Sequence, residues 1–198
     1  MMTTRSMLAV VLSATVLSAA CDDSARAAAT AALDAARGSF EAVKTEAAKY
    51  VPEQEEAAED ALKQASNALR RGEYADSLRA AQALLPKVTA LAEATTAKKT
   101  ELTTAWTRLS GGLPGAVTAI QARIDELSKT RRLPATVSRD AVAAATAGLS
   151  TLKTAWTEAG DMFTRGNLAE AVGKAQTVKA KAAAVMTSLG MTVPDSLK

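Results

Sequence analysis

The chain has no histidine, a single cysteine and only two residues each of Trp, Tyr and Phe. Without histidine it lacks the commonest general base, most zinc sites, the Glu-x-x-His di-iron bundle and any Ser-His-Asp triad. One cysteine cannot close a disulfide within the chain, so stability must come from packing and helix propensity. Aromatic residues make up 3% of the sequence while apolar residues make up 48%, which leaves alanine, with leucine and valine, as most of the apolar share. Alanine is the best helix former and a poor strand residue, so the composition predicts an all-α protein with closely approaching helices and a thin core. Neither sign of charge dominates: 24 basic against 21 acidic residues give a formal +3, too little to predict a nucleic-acid partner.

At the start of the chain Arg5 precedes an apolar run, Met7 to Ala20, that closes on Leu17-Ser18-Ala19-Ala20-Cys21. A basic residue, an apolar stretch of about 14 positions and small residues before a cut site predict a secretory signal, because a membrane span needs roughly 20. These residues resemble the N-terminus of bacterial lipoproteins, with Ser18 standing where that family favours Leu and Leu17 one place earlier. The resemblance implies a signal peptide at 1–20, removed to leave Cys21 as a lipidated N-terminus carrying acyl chains such as palmitate. It implies the lipid bilayer as a partner, since buried acyl chains contribute about 0.8 kcal/mol per CH₂. In the enterobacterial branch an Asp after the Cys, as Asp22 is here, retains the lipoprotein at the inner membrane. The implied location is the cell envelope, facing the periplasm from the inner membrane, with the outer membrane as the other possibility. An ordinary cleaved signal with a coincidental cysteine is the plainer reading. Loss of Arg5 with the signal leaves 23 basic and 21 acidic residues, a net charge of +2.

The first residues of the mature part, 21–30, read as a tether, and 31–190 as one all-helical domain followed by a tail at 191–198. Apolar positions alternate in steps of 3 and 4, as on the buried seam of a coiled coil. The first stripe is Leu33, Ala36, Phe40, Val43, Ala47, Tyr50, and after Pro52 comes Ala58, Leu62, Ala65, Leu69. Glu53, Glu55, Glu56, Glu59 and Asp60 at that helix start offset the macrodipole and lack the looped array of a calcium site. A long helix follows, with the stripe Tyr74, Leu78, Ala81, Leu85, Val88, Ala92, Thr95, Lys99, Leu102, Trp106, Leu109. Pro86 is expected to kink it without breaking it, and Gly111-Gly112-Leu113-Pro114 is expected to be a turn. Leu113, Val117, Ile120, Ile124 and Leu127 form the next face. Ser138 is a candidate N-cap for a helix burying Val142, Ala145, Leu149, Leu152, Trp156, Ala159 and Phe163, with a last helix from Asn167 to about Leu189.

A duplication organises the body. Arg71-Gly72-Glu73-Tyr74-Ala75-Asp76-Ser77-Leu78 recurs 94 positions later as Arg165-Gly166-Asn167-Leu168-Ala169-Glu170-Ala171-Val172, and the stripes agree at the same offset. The expected architecture is therefore an elongated antiparallel helical bundle of coiled-coil hairpins, with duplicated helix-turn-helix copies at about 53–110 and 137–189. Over about 16 residues each copy resembles the turn and second helix of a tetratricopeptide repeat. Solenoids of that kind repeat near 34 residues, so no peptide-binding groove is carried over.

Catalytic patterns are scarce. Ser150-Thr151-Leu152-Lys153 matches the Ser-x-x-Lys of penicillin-recognising enzymes without their Ser-Asp-Asn or Lys-Thr-Gly partners. Glu158 and Asp161 are expected to pair with Lys153 and Arg165 rather than act in acid-base chemistry. Trp106 and Trp156 lie in identical Thr-Ala-Trp-Thr tetrapeptides on apolar stripes. They are read as core anchors, the functional alternative being a contact surface for a ligand or partner. Lys174, Lys179 and Lys181 form a solvated face that anionic lipid would also suit. The expected function is a non-catalytic scaffold, spacer or adaptor on the membrane with a protein partner in the envelope and no metal, cofactor or nucleic acid. The alternative is a carrier of a small hydrophobic ligand in a groove between hairpins lined by Trp106 and Trp156.

Overall fold

The computed structural model describes residues 16–197, with side chains from Asp22 onward. The expected signal segment before Val16 and the Cys21 side chain lie outside the described residues. The described chain is all-α: α1 (Val16–Tyr50), α2 (Pro52–Arg70), α3 (Tyr74–Lys129), α4 (Arg139–Thr164) and α5 (Leu168–Ser188), then a 3₁₀ turn at Asp195–Leu197. No strand occurs among these residues. They form two compact units, divided within α3 between Thr96 and Ala97.

In the first unit α1, α2 and the beginning of α3 enclose one core. It contains Leu33, Ala36, Phe40 and Ala47, then Ala58, Leu62 and Ala65, then Ala81, Leu84, Val88 and Leu91. Ala29, Ala36, Ala47, Ala65 and Ala81 are wholly buried, so methyl groups line much of the seam between the helices. Ser77 is also wholly buried, and its hydroxyl donates to the Ala65 carbonyl at 2.9 Å. Lys44 of α1 meets Glu59 of α2 at 3.4 Å on the outside.

Two expectations for this unit need correction. Asp22–Thr30, expected as a tether, is helical and continuous with α1. Five alanines in six positions, 27–32, give this stretch strong helix propensity, and Ala29 within it is already buried. The α3 seam keeps Ala81, Val88, Thr95, Leu102 and Leu109 of the expected stripe, but alternate positions shift by one residue: Ser77, Leu84 and Leu91 are buried, whereas Leu85 is exposed. Leu84 and Leu85 are neighbours, so only one of them can face inward. The choice of Leu84 leaves Pro86 and Gln82 exposed. Pro86 removes one helical donor, and the Gln82 carbonyl it would have met can then be hydrated, which lets α3 pass through the proline unbroken.

The second unit comprises the rest of α3 with α4 and α5. Here the expected turn at Gly111–Pro114 does not form, because α3 continues to Lys129. Leu109, Leu113, Ala116, Ile120, Ile124 and Leu127 keep one buried face through the segment. A glycine costs a helix about 1 kcal/mol and an interior proline about 3 kcal/mol, and each buried leucine returns about 2 kcal/mol. Packing therefore overrides local preference. Gly112 has a second use: a Cβ there would lie 3.1 Å from Cβ and Oγ of Ser196. Its missing side chain lets the final 3₁₀ turn approach α3, where Leu197 is buried. Ser138 caps α4 as expected, its Oγ accepting from the Ala141 N–H at 3.0 Å.

The duplicated turns match bond for bond. Gly72 and Gly166 have φ of 79° and 81°, a left-handed conformation that glycine adopts without a Cβ penalty. Gly72 N–H donates to Leu69 O and Glu73 N–H to Ala68 O at 3.1 and 2.9 Å. Gly166 N–H and Asn167 N–H repeat this on Phe163 O and Met162 O at 2.9 and 3.0 Å. Both are Schellman C-caps, which satisfy carbonyls that a helix end leaves open.

Candidate functional site

The residues singled out in the sequence fall in separate places. The backbone of Cys21 belongs to α1, and Asp22 to Ala28 are all exposed helix preceding Ala29, the first buried position. Asp22 and Asp23 lie there with Arg26 and no core contact.

Trp106 and Trp156 come together, which spacing alone did not reveal. Trp106, on α3, stacks on Trp156 at a centroid separation of 5.2 Å and on Phe163 at 4.6 Å, with ring planes within 9° of parallel. Trp156 and Phe163 are seven residues apart on α4, so one helix presents two rings on one face and the other inserts a third. All three are half-buried. Stacked on two partners, the Trp106 indole serves as a packing element more readily than as a platform for a ligand.

The charged candidates meet other partners than those expected. Glu158 pairs with Lys174 of α5 rather than with Lys153 or Arg165, and Lys153 instead donates to Gln121 Oε1 at 2.9 Å. Helix pairing places α5 beside α4, which offers Glu158 a nearer cation than its own helix does. Thr95 is buried, and its hydroxyl donates to the Leu91 carbonyl one turn back at 2.8 Å. In the acidic start of α2, Glu59 is shared by Lys44 at 3.4 Å and Lys63 at 3.5 Å. The hydrogen bond and charge of Lys44 hold its carboxyl below the ordinary range. Arg71 grips Glu73 through Nε and Nη2 at 2.9 and 2.7 Å, which lowers the acid and raises the guanidinium. Glu55 differs from these: it is buried, and its Oε1 has no hydrogen-bond partner. Among the described residues no group of three or more His, Cys, Asp or Glu side chains is placed to hold a metal ion, and no helix is long and apolar enough to cross a membrane.

A cavity that the sequence did not suggest lies where α3 ends and α4 begins. It measures about 520 Å³ and is lined by Leu127, Leu133, Val142, Ala143, Ala147 and Arg139, among others. Neither tryptophan lines it. It adjoins the cationic loop that contains Arg131 and Arg132. No protein-family model matches the chain, and neither a curated protein nor a solved structure shows significant similarity to it.

Proposed function

We propose that the protein is a bacterial lipoprotein, acylated at Cys21, that displays a non-catalytic helical scaffold or adaptor from the inner membrane into the periplasm. The observation that carries this reading is the Ala19-Ala20-Cys21 junction, placed upstream of every core residue among the described residues. Cleavage before Cys21 would leave every described core residue, from Ala29 onward, in the chain. It would also leave Asp22 and Asp23 in the first turn of the shortened α1, where negative charge suits the helix dipole. From Asp22 to Ala28 the helix is exposed, a stand-off of about 10 Å at 1.5 Å per residue between the lipid and the first packed layer. The body acts through its surface on a protein partner of the envelope. Its want of histidine, the commonest general base, favours this over catalysis.

The test is Cys21→Ser followed by cell fractionation, with mass spectrometry of the native protein. The expected results are fatty acid on the native N-terminus and movement of the variant from the membrane to the soluble envelope fraction. A variant that stays with the membrane, with no acyl mass on the native form, overturns the proposal. Asp22 is the sorting residue in this reading. In a host that retains lipoproteins by an Asp at this position, Asp22→Ser should move the protein to the outer membrane.

A further inference from the structure

The cavity between the end of α3 and the start of α4 is lined by Leu127, Leu133, Val142, Ala143 and Ala147 together with Ser128, Thr146 and Arg139, and the chain around it carries a surplus of positive charge. From Leu127 to Val142 the chain carries Lys129, Arg131, Arg132 and Arg139 against Asp140 alone. That surplus of three equals the formal charge of the whole protein, +3, so the remainder of the chain is balanced. None of these four cations is ion-paired among the described residues.

Helix electrostatics account for part of this cluster. Lys129, in the last turn of α3, complements the carbonyl end of that helix. Arg139 is different, because it is the first residue of α4, where the exposed N–H groups already make the end positive. Its Nη2 donates to the Arg131 carbonyl at 3.2 Å, which fixes the guanidinium on the loop and leaves further donors for a second group. A cation held at a helix N-terminus beside a mainly apolar cavity complements an anion attached to an apolar chain. The volume, about 520 Å³, falls within the roughly 300–1,000 Å³ of small-molecule sites.

We infer that this cavity binds a single-chain anionic amphiphile of the medium-chain carboxylate class. The carboxylate meets Arg139, and the alkyl chain lies along Leu127, Leu133, Val142 and Ala143. This site is independent of Cys21 and of the tryptophan stack.

Calorimetric titration of the full-length protein with dodecanoate, below its micellar concentration and at low salt, tests the assignment. One molecule should bind per chain. Affinity should rise about two- to fourfold for each methylene added from octanoate onward, the range set by roughly 0.8 kcal/mol per fully buried CH₂. Arg139→Gln should weaken binding about fivefold, as loss of one partly exposed charged hydrogen bond does. Ala143→Asp, at an exposed position that tolerates the change, should weaken it about tenfold or more, because a carboxylate one turn from Arg139 repels the ligand's carboxylate and competes with it for the guanidinium. Dodecanol should bind more weakly than dodecanoate, and Lys181→Gln, away from the cavity, should bind as the parent does. Absence of saturable binding overturns the inference, as does equal affinity in both cavity variants. Attachment to phosphatidylglycerol vesicles without binding of the monomeric amphiphile also overturns it, and would make the same residues a membrane-contact surface.

Discussion

Replacing Glu55 by leucine is expected to stabilise the first unit, and the second unit supplies the reason. Glu55 is 9% exposed and its Oε1 has no partner, whereas Leu149, at the equivalent position of the second copy, is 4% exposed in an apolar setting. An unsatisfied buried oxygen costs about 1–3 kcal/mol, and a leucine in its place adds about 1–2 kcal/mol of apolar burial. Two effects oppose the gain. Glu55 lies in the first turn of α2, where a negative charge contributes about 0.3–1 kcal/mol through the helix dipole. A branched side chain must also fit a site shaped around a straight one, at about 1 kcal/mol. The balance is a gain of about 1–2 kcal/mol, which for a unit of this size raises the melting temperature by several degrees. Urea denaturation at neutral pH, followed by helical circular dichroism, should show a higher midpoint with an unchanged slope. Glu56→Leu, at the exposed neighbouring position, should show no such gain. An unchanged or lower midpoint for Glu55→Leu, or an equal rise for Glu56→Leu, would refute the reasoning. Either would mean that the buried carboxylate is already well solvated.

Four further predictions concern other parts of the chain. Gly111→Ala, with no atom within 4 Å of the added methyl, should stabilise the second unit by about 0.5–1 kcal/mol. Gly112→Ala should instead dislodge the final turn, seen as faster carboxypeptidase trimming and a lower denaturation midpoint. Trp106→Leu should abolish the exciton signature of the stacked indoles in circular dichroism and cost about 1–2 kcal/mol in urea denaturation, part of it the roughly 0.5–1.5 kcal/mol of ring stacking. Glu59 has its carboxyl held below the ordinary value of 4.5, first through its hydrogen bond to Lys44. Its contribution is therefore complete above pH 4.5 and is lost as the pH falls through the lowered folded value. Glu59→Gln should accordingly unfold with a shallower dependence on acid in that range. Identical acid titrations of the parent and this variant would rule out the pairing as a source of pH dependence.

Helix type and most buried positions were legible because alanine-rich heptads leave little choice of partner face. The matching turns at Gly72 and Gly166 were legible because basic residue and glycine close a helix by local chemistry alone. Three features escaped for a different reason. Leu84 and Leu85 are equivalent to a periodicity count, and only the placement of the Ser77 hydroxyl and of Pro86 decides between them. Gly111, Gly112 and Pro114 carry the local signature of a turn, yet the buried row from Leu109 to Ile120 outweighs it. The Glu158–Lys174 pair depends on which helices become neighbours, which no single stretch of sequence states. Of the candidate sites, the rings of Trp106 and Trp156 were visible separately, but their meeting with Phe163 was not. The cavity beside Arg139 was hidden, since its walls come from two helix ends and a loop that individually look like punctuation.

An interior tiled with the smallest side chains reverses the usual direction of mutational risk. In a leucine-rich core the dangerous changes are truncations; here Ala36, Ala47, Ala65, Ala159, Ala175 and Ala182, all wholly enclosed, have little left to lose. Enlargement is what they cannot absorb, at about 1–3 kcal/mol for each overfilled site. Random substitution should therefore leave this protein tolerant on its outer faces and intolerant, along those seams, of almost anything bigger than a methyl group.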